Sequence, residues 1–190
     1  MSKLQPNQLN MQLGFQLSEQ DYMDYLLYST SKSKKVTKRR SINKILLMAM
    51  YFITGMFLYN KNGPIASAVF FVACIPLYFL HGYMERKQYR KHFTRFIREH
   101  FTAVIGKDIT IDLNEDNLHI IDEEDTTLTP TDIEWIGETQ SQIIIQSKAG
   151  KAFIIPKNKV EGASIFITRL KEIASSASFP YNEELNWKWK

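Results

Sequence analysis

The sequence predicts an α+β membrane protein: a transmembrane helical hairpin plus a small antiparallel β-sheet or partial barrel with a C-terminal helix. Two apolar runs, residues 45–59 and 65–83, flank a short turn whose Lys61 is the only charged residue between them. From Asp108 onward, the apolar residues alternate with a period of two, which indicates strands. A final stretch beginning at Ala163 has apolar residues at helical spacing instead.

The two apolar runs are long enough to cross a bilayer as helices. A hydrocarbon core about 30 Å thick needs roughly 20 helical residues. Residues 64–83 contain no charge, and residues 42–59 contain only Lys44, whose long stem can carry its ammonium to the headgroups. A buried hairpin in a soluble core is the alternative, but such helices normally keep a polar stripe.

Basic residues on both sides of the hairpin predict its orientation. Because basic loops stay on the cytoplasmic side, both termini are expected in the cytoplasm, with only the tip of the hairpin outside. The same residues could instead recruit anionic lipids, each charge contributing about 1 kcal/mol near the surface. The residues that carry these two interpretations are Lys34, Lys35, Lys38, Arg39, Arg40, Arg86 and Lys87.

The segment before the hairpin combines a strand with a short helix. Residues 1–10 are expected to be disordered, and residues 11–17 alternate as a strand. Ser18 is predicted to cap a short amphipathic helix, with Asp21 at its third position. This helix is expected to dissolve at residues 29–33 into a basic juxtamembrane segment that reaches residue 41.

The segment after the hairpin is expected to hold a helical extension and then a β domain. The extension covers residues 84–105 and stops at Gly106. Residues 106–175 contain about six short strands and a closing helix, with turns at residues 114–117, 122–125 and 148–151. The strand at 11–17 would make a seventh, and whether it joins this sheet is left open. Residues 176–190 form a tail, whose alternating Trp and Lys suit either a membrane interface or a frayed end.

Charge and composition exclude several functional classes. Residues 1–100 carry 15 basic and 5 acidic residues, whereas residues 101–190 carry 9 and 15, so the basic pI reflects membrane topology and not nucleic-acid binding. The single cysteine, Cys74, lies in the second span and cannot form a disulfide within the chain. The histidines and the acidic run at 122–125 lack metal-site spacing, and no Gly-rich phosphate loop occurs. We therefore predict no catalytic residues, metal or cofactor.

The order of these parts resembles the YcxB-like family of small bacterial membrane proteins. The residues that carry the resemblance are the Phe15-Gln16-Leu17-Ser18-Glu19-Gln20-Asp21-Tyr22 segment, the basic run before a two-span hairpin, and the segments 132–136 and 152–157. The resemblance implies a pleckstrin-homology-like (PH-like) C-terminal domain of seven strands and a helix. It also implies a bacterial cytoplasmic membrane and lends no catalytic residues.

These observations predict a membrane-tethered, non-enzymatic interaction or regulatory module that presents a cytoplasmic PH-like domain. Its expected partners are membrane lipids and a protein bound at a sheet edge or at the concave end of the sheet, and a homo-oligomer stays open. The alternative is a transport-associated or small oligomeric membrane subunit built from the hairpin. Against it, neither span contains an acid or a charge pair.

Overall fold

The computed structural model of the chain describes residues 11–114, 117–122 and 124–189. Within them, the chain forms two compact bodies: residues 11–25 with 96–188, and residues 26–95 with residue 189. Several predictions fall outside the described residues: disorder at 1–10, the acidic pair Glu115 and Asp116 of the first turn, Glu123 of the acidic run, and Lys190.

The first sheet joins the strand before the apolar region to three strands after it. Its order is β1-β2-β3-β4, and every neighbouring pair is antiparallel. β1 pairs with β2 along its whole length, from Met11 opposite Leu113 to Gln16 opposite Asp108. The open question about residues 11–17 is thereby answered, because this strand completes the sheet. The strands are β1 (Met11–Gln16), β2 (Asp108–Leu113), β3 (Leu118–Ile121) and β4 (Asp125–Leu128).

The second sheet contains one strand that the sequence did not predict. Its order is β7-β6-β5-β8, with β5, β6 and β7 antiparallel and β8 added parallel to β5. A short 3₁₀ turn, Pro130–Asp132, leads into β5. The expectation that residues 176–190 form a separate tail is therefore wrong for the part that forms β8. The strands are β5 (Ile133–Glu138), β6 (Gln142–Ser147), β7 (Ala152–Pro156) and β8 (Tyr181–Glu183).

The core of the β domain follows from the side-chain pattern of its strands. In β2, Ile109, Ile111 and Leu113 are buried and alternate with residues that are only partly covered, as expected of a sheet with one wet face. In β6, three consecutive isoleucines are almost fully buried, so both faces of this central strand are covered. Helix α3 (Ala163–Ala177) buries Phe166 and Leu170, which helical spacing predicted, and also Ala174, which it did not.

Helix α1 (Glu19–Lys32) begins at the predicted cap. The backbone N–H and the hydroxyl of Ser18 donate to Asp21 Oδ2 at 2.7 and 2.6 Å, and Lys159 Nζ approaches the same oxygen at 2.7 Å. The prediction that this helix dissolves at residues 29–33 is wrong. Only Ser33 interrupts it, because the following lysines and arginines are good helix formers and begin the next helix at once.

Helix α2 (Lys34–His100) consists of two arms divided at Gly63. Gly63 has φ 82° and ψ −179°, a backbone conformation that is essentially restricted to glycine. The first arm covers residues 34–62 and the second arm residues 64–100; together we call them the helical pair. Ser67 Oγ donates to the carbonyl of Gly55 at 3.1 Å, and Arg40 Nε donates to Glu85 Oε1 at 2.8 Å. Arg40 and Glu85 are 45 positions apart, which along a straight helix is roughly 67 Å, so the chain reverses at Gly63.

The boundaries of the arms differ from the predicted ones in three places. The basic segment up to residue 41 is helical and continuous with the first apolar run. Residues 60–62, expected in a turn, are also helical, because the reversal needs only the unusual backbone of Gly63 before Pro64. The second arm ends at His100, a few residues before the expected end, and turns lead to Gly106.

Helix α2 is the one helix of the described residues that is long and apolar enough to cross a membrane. This finding rests on length and composition alone. Its apolar side chains are largely exposed: Ile45 is 66% exposed, Val72 67% and Phe79 71%.

Candidate functional site

Six of the seven basic residues predicted as a lipid or topology cluster are exposed on the helical pair. Lys34, Lys35, Lys38 and Arg39 lie on the first arm, and Arg86 and Lys87 lie on the second. The antiparallel contact between the arms brings both groups to the same end, which we call the base of the helical pair. The seventh residue, Arg40, differs because it is largely buried.

Arg40 links the two arms through a two-point ion pair. Its Nε and Nη2 donate to the two carboxylate oxygens of Glu85 at 2.8 and 3.2 Å, and both side chains are about 15% exposed. The guanidinium carbon lies 4.7 Å from the centre of the Trp189 ring and 5.9 Å from that of Tyr89. Such a planar, bidentate and stacked arrangement suits arginine and not lysine. Arg40 is therefore held in one orientation from three sides.

Trp189 is part of this base and not a frayed end. Its side chain is 6% exposed, and its ring centre lies 5.2 Å from that of Tyr89 in an edge-on contact. Its indole Nε1 is buried without a hydrogen-bond acceptor among the described residues. The alternation of Trp and Lys in the tail indicated that Trp189 could have a role. Nothing in the sequence indicated that its ring would contact Arg40.

A polar cavity of about 290 Å³ opens between the arms at the base. Two of the predicted basic residues, Arg39 and Arg40, contribute to it, whereas the other five do not line it. Sequence analysis missed the polar residues that complete the cavity, because their convergence depends on the register between the arms. We call this the base cavity; it is lined by Arg39, Arg40, Asn43, Glu85, Gln88, Tyr89 and His92.

The β domain holds a second polar cluster, centred on Glu138 at the end of β5. The Glu138 side chain is only 5% exposed and accepts hydrogen bonds from Lys157 Nζ at 2.6 Å and from Tyr181 OH at 2.7 Å. Lys171 Nζ lies 3.3 Å from the same carboxylate and 2.6 Å from Glu183. We call these five residues the Glu138 cluster. It joins β5, α3, β8 and the residue that follows β7.

The surroundings of Glu138 favour its charged carboxylate, paired with the Lys157 ammonium. Burial alone raises the pKa of Glu138, but the hydrogen bonds from Lys157 and Tyr181 and the nearby ammonium groups outweigh it and lower that pKa. Burial, reinforced by the Glu138 carboxylate, raises the pKa of Tyr181 far above its usual range, so its hydroxyl keeps the proton that it donates. The hydrogen bond to Glu183 raises the pKa of Lys171. The charged and hydroxyl groups of the cluster hydrogen-bond to one another. This arrangement is typical of a structural ion-pair network and not of a reactive site.

The described residues of the acidic run, Asp122, Glu124 and Asp125, are paired with basic side chains. Lys151 Nζ lies 3.5 Å from Asp122 and 3.3 Å from Glu124, and His119 contacts Asp125. Among the described residues, no three His, Cys, Asp or Glu side chains are grouped so that they could hold a metal ion.

Comparison with known proteins adds no assignment to this geometry. No protein-family model matches the chain. No curated protein matches it either. The resemblance to the YcxB-like family therefore stays a prediction, and the function is argued from the residues themselves.

Proposed function

We propose that the protein is a membrane-tethered, non-enzymatic interaction or regulatory module. In this proposal the helical pair is a transmembrane hairpin that anchors a cytoplasmic β domain in a bacterial membrane. The observation that carries the proposal is that an apolar helical pair interrupts, in sequence, a single folded sheet. β1 precedes the pair and β2 follows it, yet the two strands are paired over six residues.

The exposed apolar surface of the helical pair supports its placement in a bilayer. Soluble monomers rarely expose a contiguous apolar patch larger than a few hundred Å². Here large exposed hydrophobic side chains follow one another along both arms. From residue 45 to residue 83, Lys61 is the only charged residue. These side chains include Ile45, Leu46, Phe52, Ile53, Phe57, Ile65, Val69, Val72, Ile75 and Phe79.

The basic residues at the base support an orientation with both termini in the cytoplasm. Cysteine labelling in intact cells tests it, in a Cys74→Ala background. Asn62→Cys, at the tip of the pair, should react with a membrane-impermeant maleimide. Ser164→Cys, exposed on α3, is the matched control and should react only after lysis. Protection of the tip cysteine in intact cells would contradict this topology.

The proposed PH-like character of the domain is supported by its strand count and order. Four antiparallel strands form one sheet, three form the second, and a helix follows the last of them, as the family resemblance implied. Strand β8 departs from this pattern. Fold alone assigns no ligand to this domain.

The outer edge of β1 is the surface that we propose for a protein partner. The amide of Gly106 donates to the carbonyl of Leu17, on the β2 side. Because backbone groups alternate along an antiparallel strand, those of Gln12 and Gly14 then face the outer edge. A partner strand could add there by β-augmentation. Lys159 already donates to the carbonyl of Gln16, so the open part of the edge is short.

Photo-crosslinking in living cells tests this edge. A benzophenone amino acid at Gln12 should give a discrete adduct with another protein, whereas the same group at Thr168, exposed on α3, should not. Adducts only with a second copy would favour a homo-oligomer and contradict a heterologous partner.

The cavity between the membrane parts of the arms supports an anchor over a conduction path. It measures about 340 Å³ and is lined by aromatic and aliphatic side chains together with Cys74. Ion and solute paths normally present polar or charged groups to the permeant species. The transport alternative therefore gains no support from this cavity.

A further inference from the structure

We propose that the base cavity binds the phosphate group of an anionic lipid headgroup. The inference rests on the proposed function, since it requires that the helical pair crosses a bilayer. It goes further because it names a ligand class and a binding position for basic residues. Membrane topology alone would explain these residues only as diffuse surface charge.

The position of the base cavity matches the headgroup level of a membrane. On the second arm, Met84 is the last large exposed hydrophobic residue before the base, and Glu85, which lines the cavity, follows it directly. The first arm runs the opposite way, so Ile42 is the corresponding residue there, and Arg40 and Arg39 follow it towards the base. If the apolar part fills the hydrocarbon core, the next turn of each helix lies among the lipid phosphates.

The base cavity has more hydrogen-bond donors than acceptors. Its one carboxylate, on Glu85, already accepts two hydrogen bonds from Arg40. Arg39 is exposed and lines the cavity without an ion-pair partner among the described residues. The side chains of Asn43 and Gln88 supply further N–H donors. An incoming phosphate would therefore meet a net positive charge and unsatisfied donors.

Arg40 gives the base cavity its rigidity. The ion pair with Glu85 and the ring of Trp189 hold the guanidinium against one wall, so little rotamer freedom remains to be lost on binding. The guanidinium of Arg39 beside it can approach a phosphate through two parallel N–H groups. We therefore assign Arg39 as the residue that contacts the phosphate and Arg40 as a positioning residue.

A lipid and not a free phosphate is the proposed source of this group. The cavity is open towards the surface, and it is contiguous with an apolar helix surface along which acyl chains would lie. A soluble phosphate ester would use the same donors without that apolar contact. The experiment separates the two sources.

The test uses the full-length protein reconstituted in phosphatidylcholine vesicles with or without a minor fraction of phosphatidylglycerol. After gentle extraction, native mass spectrometry counts the lipids that remain bound. Phosphatidylglycerol should be retained above its share of the vesicle lipid. Arg39→Gln should reduce this retention at least about tenfold, the factor that corresponds to one lost hydrogen bond between charged groups.

The matched control is Arg86→Gln, which removes one charge from the same base but does not line the cavity. It should reduce the retention clearly less than Arg39→Gln does, because it removes a surface charge but no contact with the bound phosphate. Equal losses in both variants would show a diffuse charge effect and overturn the site. Displacement of the lipid by low concentrations of soluble glycerol phosphate would overturn the lipid assignment. Labelling of Asn62→Cys in the same vesicles reports insertion separately, so a protein that does not insert refutes the membrane anchor and not the cavity.

Discussion

Replacing Glu138 by glutamine should destabilise the β domain more than any other single charge removal on β5. Glu138 is 5% exposed and receives hydrogen bonds from Lys157 at 2.6 Å and Tyr181 at 2.7 Å. The amide keeps one acceptor oxygen but loses the negative charge. The Lys157 side chain, only 16% exposed, would then hold its ammonium against a neutral group.

The magnitude follows from the cost of leaving a buried charge without its partner. Breaking such a pair from one side costs about 3–5 kcal/mol. Because the glutamine oxygen can still accept one hydrogen bond, and because Lys157 keeps some access to water, we expect a loss near the lower limit, about 3 kcal/mol. Glu134→Gln, at an exposed position of the same strand, should change the stability by less than about 0.5 kcal/mol.

The difference in unfolding free energy between wild type and Glu138→Gln should depend on pH in a defined direction. The Glu138 pKa is lowered by folding, so its contribution is complete above the ordinary glutamate pKa of about 4.3. It should shrink as the pH falls through the lower folded-state pKa, where the wild-type carboxylate also becomes neutral. Above pH 5 the gap between wild type and Glu138→Gln should be constant.

Urea titration of the full-length protein in mild detergent, followed by Trp fluorescence, measures this effect. Trp135 lies on the same strand as Glu138 and should report unfolding of the β domain. If Glu138→Gln and Glu134→Gln had equal midpoints, the cluster would contribute nothing beyond surface charge. A gap that persisted unchanged at pH 3 would show that shape and not charge is responsible.

Three further substitutions probe the contact between the two arms, the chain reversal at Gly63 and the attachment of β8. Gly55→Ala would place a Cβ into the Phe71 ring and should destabilise the helical pair by about 1–3 kcal/mol in detergent-unfolding titrations, whereas Gly82→Ala meets open space and should be neutral. Gly63→Ala should cost about 1–3 kcal/mol in the same assay, because φ +82° is strained for any residue with a Cβ. Tyr181→Phe should lower the stability of the β domain by about 1 kcal/mol in urea and make the C-terminal tail more sensitive to protease, since it removes a donor to Glu138.

Local patterns predicted most of the elements correctly, for identifiable reasons. Alternation with period two predicted β1 and β2, and helical spacing predicted α3, because each of these elements has one buried face. The cap formed by Ser18 and Asp21 is encoded by residues three positions apart and needs no tertiary context. Pairing between β1 and β2 could only be suggested, since 92 positions separate Gln16 from Asp108.

The elements that sequence analysis missed depend on distant partners. β8 has three residues and no hydrophobic alternation, and the parallel pairing with β5 and the contact with Glu138 define it. The helical state of the basic run was not predicted, because its serines and its polarity are typical of a loop, whereas lysine and arginine have good helix propensity. Only two of the seven residues that line the base cavity, Arg39 and Arg40, were predicted. Glu85 and Gln88 join these arginines only through the register of the two arms, and Trp189 reaches Arg40 from the C-terminal segment.

The helical pair is inserted between β1 and β2, and the stability of the sheet does not explain this insertion. The entropy of closing the loop between the two strands shows why. Pairing β1 with β2 closes a loop of 92 positions between Gln16 and Asp108. The contact of Arg40 with Glu85 bridges 45 of them and so leaves about half of the loop. Halving a loop lowers the closure cost by only about 0.6 kcal/mol. Because this gain is smaller than one typical hydrogen bond to a charged group, stability does not explain the arrangement. The proposed attachment of one domain to a bilayer at two points, by both flanks of one inserted anchor, would explain it.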